Sequence, residues 1–96
     1  MRTLNFKHAI EALGYKIEKY IKGYNFRSAF ASKDGQLYYF HIEDLRDDNP
    51  VTYMRTAKSI SDFKGGVNNF SRFQDECSKE GILVIEKRQK CDYNSL

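Results

Sequence analysis

Residues 25–44 read NFRSAFAS, then KDG, then QLYYFHIED, and this stretch decides the fold of the chain. Two runs rich in aromatic and β-favouring residues flank a three-residue linker that ends in Gly35. This pattern is typical of a β-hairpin. The rest of the chain is therefore expected to assemble around two antiparallel strands joined by a tight turn.

The linker also predicts how the two strands pair. A type I turn followed by a left-handed residue needs glycine at its last position, which Gly35 supplies, and this three-residue turn places Ser32 opposite Gln36. One face then carries Phe26, Ser28, Phe30, Tyr38, Phe40 and Ile42. The other face carries Arg27, Ala29, Ala31, Leu37, Tyr39 and His41. A two-residue turn would instead place Phe26 against Glu43 and mix charge into both faces, so the three-residue turn is preferred.

The size and composition of the chain predict a single domain. The chain has 96 residues, of which 15% are aromatic and 30% are charged. This length supports one hydrophobic core, and the aromatic side chains supply a large apolar area per residue. We therefore predict one small domain over residues 1–96. Its polar end, residues 88–96, is predicted to be a mobile tail.

Charge, cysteine content and the N-terminal sequence predict where the protein is found. The formal net charge of +3 permits an anionic partner without requiring one. Cys77 and Cys91 are too few for a disulfide framework, which favours a reducing compartment. Residues 1–8 contain charges and lack the apolar run of a signal peptide, and no segment is apolar enough to span a bilayer. The prediction is a cytoplasmic protein with no membrane partner.

The N-terminal part of the chain predicts one helix. Phe6, Ile10 and Leu13 recur at the spacing of one helical face, which predicts a helix over residues 3–13. Gly14 is placed to end this helix, because glycine adopts the left-handed conformation that often follows the last helical turn.

Residues 15–21 fit two periodicities. Tyr15, Ile17 and Ile21 alternate as in a strand, but Ile17 and Ile21 also continue the helical stripe. Glycine within a helix costs about 1 kcal/mol relative to alanine, so Gly14 is better placed at a helix end. We therefore predict a strand over residues 15–21, with a helix as the alternative.

The second half of the chain predicts a loop, two strands and a second helix. The loop covers residues 45–50 and is followed by a strand over 51–57. The helix begins after Ser59 or Ser61, or near Val67 if the preceding glycines are excluded, and Gly81 ends it. The apolar run ILVI at 82–85 is typical of a strand that is buried on both faces or lies centrally in a sheet.

The predicted order is α-β-β-β-β-α-β. This order indicates an α+β domain in which a small antiparallel sheet of about five strands carries two helices packed on one face. The opposite face of the sheet is expected to stay open.

The open face is the strongest candidate for a functional site. It is predicted to carry Lys16, Tyr20, Lys22, Arg27, Tyr39 and His41. Aromatic rings among positive charges on a sheet can stack bases and neutralise phosphates, as in sheet-based binders of single-stranded nucleic acid. The same residues are also common in protein interfaces, and tyrosine is favoured in strands without any functional role. We predict a non-catalytic binding module for nucleic acid, with a protein interaction or a homodimer as the alternative.

Other residue groups predict no catalytic, metal or cofactor site. Four residues could in principle ligate zinc but lack ligand spacing: His8, His41, Cys77 and Cys91. Cys77 lies on the apolar stripe of the second helix and is predicted to be a buried thiol. The acidic cluster is better explained as a loop and comprises Glu43, Asp44, Asp47 and Asp48. The glycine-containing stretch at 64–69 could hold an anion at a helix start but matches no phosphate-binding motif.

Overall fold

The computed structural model describes residues 1–43, 51–64, 69 and 71–86. The elements follow in the order β1 (Arg2–Leu4), α1 (Phe6–Ala12), β2 (Lys16–Lys22), β3 (Phe26–Lys33), β4 (Gln36–Glu43), β5 (Val51–Thr56), α2 (Arg72–Lys79) and β6 (Ile82–Val84). Four strands form an antiparallel sheet in the order β2-β3-β4-β5, and β1 and β6 form a separate parallel pair. The predicted α+β class with an antiparallel sheet is confirmed. The strand predicted as the fifth of that sheet, residues 82–85, corresponds to β6, which pairs with β1 and not with the main sheet.

The β3–β4 hairpin has a two-residue turn, so the predicted three-residue turn and its register are wrong. Asp34 and Gly35 have φ angles of 52° and 80°, and Lys33 pairs with Gln36. Two successive left-handed residues define a type I′ turn, whose twist matches that of the flanking strands. Aspartate tolerates the left-handed region, which makes this turn accessible to the Asp-Gly sequence. The strands are shifted by one residue from the predicted pairing.

The shift changes which side chains share each face of the sheet. Arg27 now pairs with Ile42, and Phe26 pairs with Glu43. Charge is therefore placed on both faces, as expected for the two-residue turn. We call the face that packs against α1 and α2 the helix-covered face; in β3 and β4 it carries Arg27, Ala29, Ala31, Tyr38, Phe40 and Ile42.

The main hydrophobic core lies between the helix-covered face and the two helices. Phe40 is fully buried at the centre, with its ring centroid 5.6 Å from that of Phe73 in α2 and 5.0 Å from that of Tyr15. Ala29 and Ala31 are also fully buried, and their small side chains leave room for these rings. Both helices therefore pack on one face of the sheet, as predicted.

The chain before α1 forms a strand, so the predicted helix over residues 3–13 begins too early. Arg2–Leu4 pairs in parallel with Ile82–Val84. Asn5 caps the helix, because its side-chain oxygen accepts a hydrogen bond of 2.8 Å from the backbone N–H of His8. Gly14 follows the helix with a φ angle of 97°, as expected for a helix end.

The structure confirms the strand over residues 15–21 and corrects the one over 82–85. β2 spans Lys16–Lys22 and forms one edge of the antiparallel sheet. β6 was predicted to be buried on both faces or to lie centrally in a sheet, but Leu83 is 46% exposed, Ile82 is 4% exposed, and the strand belongs to a two-stranded pair. One face of β6 is open because this short strand pairs with β1 outside the main sheet.

The second helix begins at Arg72, and residues 57–64 form a separate segment. The prediction that this helix begins after Ser59 or Ser61 is wrong, and Val67 lies outside the described residues. Residues 57–64, which we call the covering segment, lie across the face of the sheet opposite the helices. Gly81 follows α2 with a φ angle of 66°, as predicted for its end.

Hydrogen bonds and packing fix the covering segment to the sheet. Arg55 in β5 donates a hydrogen bond of 2.7 Å from Nη2 to the carbonyl oxygen of Asp62. Ala57 is 6% exposed and packs with Phe30 and Tyr39 in a second apolar cluster. The sheet face that was predicted to be open is therefore partly covered.

Several predictions concern parts of the chain outside the described residues. These are the loop at 45–50, the mobile tail at 88–96, and the positions of Asp44, Asp47, Asp48 and Cys91. Among the residues that are described, no helix is long and apolar enough to cross a membrane.

Burial of Cys77 predicts a loss of stability at alkaline pH. Cys77 is 3% exposed, which confirms the predicted buried thiol, and burial raises its pKa from 9.0 to about 11. The folded state therefore holds the thiol proton more tightly than the unfolded state does. This stabilisation is complete below pH 9.0 and is lost as the pH rises to about 11.

We expect the free energy of unfolding to fall across this interval in urea titrations. Cys77→Val removes the titrating group and should give a flatter profile over the same interval, while Cys77→Ser, which also removes the thiol, serves as the polar control. An equally steep decline in Cys77→Val would contradict the assignment to Cys77. The tyrosines whose pKa is also raised by burial would then account for the slope; they are Tyr15, Tyr20 and Tyr53.

Candidate functional site

The face of the sheet opposite the helices, which we call the outer face, is the candidate site. Cross-strand pairs across all four strands define it. It carries Lys16, Lys19, Ile21, Phe26, Ser28, Phe30, Tyr39, His41, Glu43, Tyr53 and Arg55. The covering segment lies over its centre, so only part of this face can meet a partner.

The structure divides the six predicted site residues between the two faces. Lys16, Tyr39 and His41 lie on the outer face. Tyr20 and Lys22, together with Arg27, lie on the helix-covered face. The prediction that all six share one open face is therefore wrong.

A β-bulge in β2 explains the placement of Tyr20 and Lys22. The pairing register shifts between Ile17 and Lys19, so that Glu18 is the extra residue. After the bulge the alternation is reversed, which puts Lys19 on the outer face and Tyr20 on the helix-covered face. The prediction assumed unbroken alternation from Lys16 to Lys22, and the bulge interrupts it at Glu18.

Arg27 is a buried structural residue. It is 1% exposed, and its Nε lies 2.8 Å from Oε1 of Glu86. Its Nη1 donates to the carbonyl oxygens of Gly23 and Phe26 at 2.7 and 2.8 Å. The other oxygen of Glu86 accepts a hydrogen bond of 2.9 Å from the backbone N–H of Phe6. Arg27 thus links the β2–β3 connection to the start of α1 and cannot reach a partner on the outer face.

Tyr39 and His41 belong to a buried polar network on the outer face. Ser28 Oγ lies 2.8 Å from His41 Nδ1 and 3.0 Å from the hydroxyl of Tyr39. His41 Nε2 lies 3.1 Å from Oε1 of Glu43. Aromatic rings also contact both side chains: Phe26 stacks on His41 at 5.6 Å, and the ring centroid of Phe30 lies 4.9 Å from that of Tyr39.

A serine, a histidine and a carboxylate in this order suggest a comparison with a catalytic triad. A nucleophile must be reachable by its substrate and needs a nearby base. Ser28 is only 2% exposed, His41 is 8% exposed, and the Tyr39 hydroxyl occupies the position beside Ser28. This geometry favours a network that satisfies buried polar groups over one that presents a nucleophile.

The accessible part of the outer face is centred on Phe63. Its side chain is 49% exposed although the ring is fixed by edge contacts to Phe30 at 5.2 Å and to Tyr39 at 5.9 Å. Lys19 Nζ lies 5.8 Å from the centroid of the Phe63 ring, and Lys16 precedes Lys19 on the same face of β2. We call Lys16, Lys19 and Phe63 the lysine–Phe63 surface.

The charge around this surface is mainly positive. Lys58 and Lys64 in the covering segment are both exposed. Two acidic residues of the same segments have polar partners: Glu18 accepts a hydrogen bond of 2.8 Å from Ser32, and Asp62 lies 3.7 Å from Arg55. An anionic partner would therefore meet exposed lysines whose charge is only partly balanced.

Phe63 and Lys19 were not among the predicted site residues. Phe63 was placed in the apolar stripe of the second helix, whereas it lies nine positions before Arg72, in the covering segment. Lys19 reaches the outer face only through the bulge at Glu18, and no glycine or other local signal marks that bulge.

The remaining candidates do not form a site in the described residues. Asn69 Oδ1 accepts a hydrogen bond of 3.0 Å from the backbone N–H of Arg72, so Asn69 satisfies a donor at the start of α2, where the N-cap residue Ser71 makes no side-chain cap bond. Residues 65–68 of the predicted anion loop are not described. No group of three or more His, Cys, Asp or Glu side chains within the described residues could hold a metal ion.

Comparison with known proteins gives no relative. No protein family, no curated protein and no solved structure matches this chain. A functional proposal must therefore depend on the chemistry of the residues themselves.

Proposed function

We propose that this protein is a non-catalytic module that binds single-stranded nucleic acid on the lysine–Phe63 surface. The observation that carries the proposal is the position of Phe63: its ring is half-exposed, is held in place by two other rings, and has an ammonium group 5.8 Å away. An aromatic ring with adjacent positive charge is the combination that single-strand binders use.

Each member of the surface has a distinct role. A base stacks on the exposed side of the Phe63 ring, and this contact tolerates any sequence because every base has a π-face. Lys19 and Lys16 neutralise the phosphates on either side of the stacked base. Phe30 and Tyr39, which make edge contacts with the Phe63 ring, hold it in place before the base arrives.

Single strands fit this surface better than duplexes. Bases in a duplex are already stacked and cannot reach an isolated ring, whereas unpaired bases can be splayed onto it. Both described helices pack on the other side of the sheet, so neither is placed to enter a groove beside Phe63.

A protein partner is the second candidate for the same surface. Ile60 and Phe63 are 46% and 49% exposed and lie in one short segment. Exposed apolar and aromatic residues are also common in protein interfaces. Salt separates the two candidates, because phosphate contacts weaken steeply as salt rises and an apolar interface responds little.

The free, buried thiol of Cys77 supports a cytoplasmic location as part of this proposal.

We expect Lys16→Gln/Lys19→Gln to weaken binding of labelled single-stranded RNA or DNA in fluorescence-anisotropy titrations. For wild type, the logarithm of the association constant should fall linearly with the logarithm of the salt concentration. Loss of two phosphate contacts should reduce the magnitude of this slope by roughly 1.4, at about 0.7 per contact.

The matched control is Lys22→Gln/Lys79→Gln. It removes the same charge from two exposed lysines that lie away from the outer face, on β2 and α2. Wild-type affinity in this control, with weakened binding in the Lys16/Lys19 variant, supports the proposal. Equal loss in both variants would show that net charge, and not this surface, determines binding.

Phe63→Ala is expected to weaken single-strand binding by roughly 5- to 150-fold, which corresponds to the ~1–3 kcal/mol of a base–aromatic stack. Phe63→Tyr keeps the ring and should bind nearly as well as wild type. The same titration measures both variants. If the alanine variant binds like wild type, the base does not stack on Phe63.

A further inference from the structure

A cavity of about 280 Å³ lies between the turn of the β3–β4 hairpin and the first turns of α2. Its lining includes Tyr15 and Tyr38, the cations Lys33 and Arg72, and the carboxylate of Glu76. This volume is at the small end of the range for small-molecule sites. The cavity is distinct from the lysine–Phe63 surface, since its tyrosines face the helices.

Lys33 is fixed by two contacts and has no carboxylate partner among the described residues. Its Nζ donates a hydrogen bond of 2.9 Å to the carbonyl oxygen of Leu13 and lies 4.9 Å from the centroid of the Tyr15 ring. Within the described part of the chain, no carboxylate oxygen lies within 4.0 Å of this ammonium. The half-buried charge is therefore balanced only by a carbonyl dipole and a ring face.

Arg72 is the second cation of the cavity and is fixed by two neighbours. Its guanidinium lies 5.0 Å from the centroid of the Tyr38 ring, and its Nε lies 3.0 Å from Oε2 of Glu76. Hydrogen bonding to Tyr38 and Glu76 raises the pKa of Arg72, which keeps the group charged.

Glu76 is already compensated inside the cavity. Besides Arg72, its carboxylate accepts a hydrogen bond of 2.9 Å from the hydroxyl of Tyr15. Burial raises the pKa of Tyr15, so this hydroxyl stays a proton donor. Arg72 and Glu76 therefore form an ion pair, whereas Lys33 forms none with a described carboxylate. Asp34, which also lines the cavity, is exposed in the hairpin turn and is not within ion-pair distance of either cation.

We propose that this cavity binds a small ligand through a carboxylate or phosphate group held between Lys33 and Arg72. Both cations are ordered by contacts that leave part of their donor capacity unused: Lys33 has three N–H donors and Arg72 has five. An anion there would receive charge-assisted hydrogen bonds from groups already in place.

The test is a titration followed by backbone amide shifts in NMR, with inorganic phosphate in one series and succinate in the other. Chloride keeps the ionic strength constant in both. We expect saturable shifts at residues 33–38 and 72–76 in at least one series. Saturation by phosphate alone or by succinate alone identifies which of the two groups the cavity accepts, and either result supports the proposal.

The diagnostic variant is Gln36→Glu. Gln36 is exposed and lines the cavity, so the substitution adds a competing carboxylate without removing either cation or a buried contact. The expected effect is at least a tenfold weaker affinity. Gln74→Glu makes the same change at an exposed position of α2 that does not line the cavity, and should bind like wild type.

Two results would overturn the proposal. One is the lack of saturable shifts with both probes in the wild-type protein. The other is equal affinity in Gln36→Glu and Gln74→Glu, which would place the bound anion elsewhere.

Discussion

Replacing Arg27 with methionine is expected to lower the free energy of unfolding by about 3–5 kcal/mol, the usual effect of removing one partner of a buried ion pair. The Glu86 side chain is 10% exposed and would lose its cationic partner. The carbonyl oxygens of Gly23 and Phe26 would each lose a hydrogen bond as well. Glu86 would keep the hydrogen bond from the backbone N–H of Phe6, and the loss of its cationic partner carries most of the penalty.

Urea denaturation of Arg27→Met and of Lys22→Met measures this effect. Lys22 pairs with Arg27 across β2 and β3 but is exposed, so its substitution should change stability by less than about 0.5 kcal/mol. The double variant Arg27→Met/Glu86→Met should recover part of the lost stability, since no buried charge is left alone. If Arg27→Met is as stable as wild type yet loses nucleic-acid binding, Arg27 belongs on the open face, as the sequence predicted.

Phe40→Ala should destabilise the fold by about 3–5 kcal/mol, as for other large-to-small changes in a core. Phe40 is fully buried and its ring contacts Phe73 and Tyr15, so the substitution leaves a cavity between the sheet and α2. Phe63→Ala deletes the same atoms from a side chain that is 49% exposed, and should cost only about 1 kcal/mol.

A comparison of Phe40→Ala with Phe63→Ala measures how much packing on each face of the sheet contributes to stability. Thermal or urea unfolding gives both values under identical conditions. Equal losses in Phe40→Ala and Phe63→Ala would contradict the assignment of the main core to the helix-covered face. The small expected effect of Phe63→Ala on stability also allows its binding defect to be measured on folded protein.

Local sequence was sufficient for the positions of several elements. The two β-favouring runs around Asp34-Gly35 do form β3 and β4, and Gly14 does end α1 with a positive φ angle. Gly81 ends α2 in the same way. Each of these features depends on residues within a few positions of one another, which is the range over which turn and cap preferences act.

Register was harder to predict because one-residue differences leave little trace in composition. Lys33-Asp34-Gly35 is compatible with both a three-residue and a two-residue turn, and the tolerance of aspartate for positive φ decides in favour of the second. The bulge at Glu18 then reverses the alternation in β2. Because of the two-residue turn and the bulge, three of the six predicted site residues lie on the helix-covered face: Tyr20, Lys22 and Arg27.

Long-range contacts explain the remaining differences. Arg27 and Glu86 are 59 positions apart, and the pairing of β1 with β6 joins the two ends of the described chain. The covering segment contacts the sheet through Phe63, whose ring lies 5.2 Å from that of Phe30, a residue 33 positions earlier in the chain. The position of Phe63, on which the proposed function depends, therefore needs the assembled sheet.

The most direct test of the proposed function is a map of amide shifts when a short single-stranded oligonucleotide is added to isotopically labelled protein at low salt. Binding on the lysine–Phe63 surface should give saturable shifts centred on Lys16, Lys19 and Phe63, and these shifts should return towards their free values as salt is raised. Shifts confined to Lys22 and the helix-covered side, or no shifts at low salt, would contradict it.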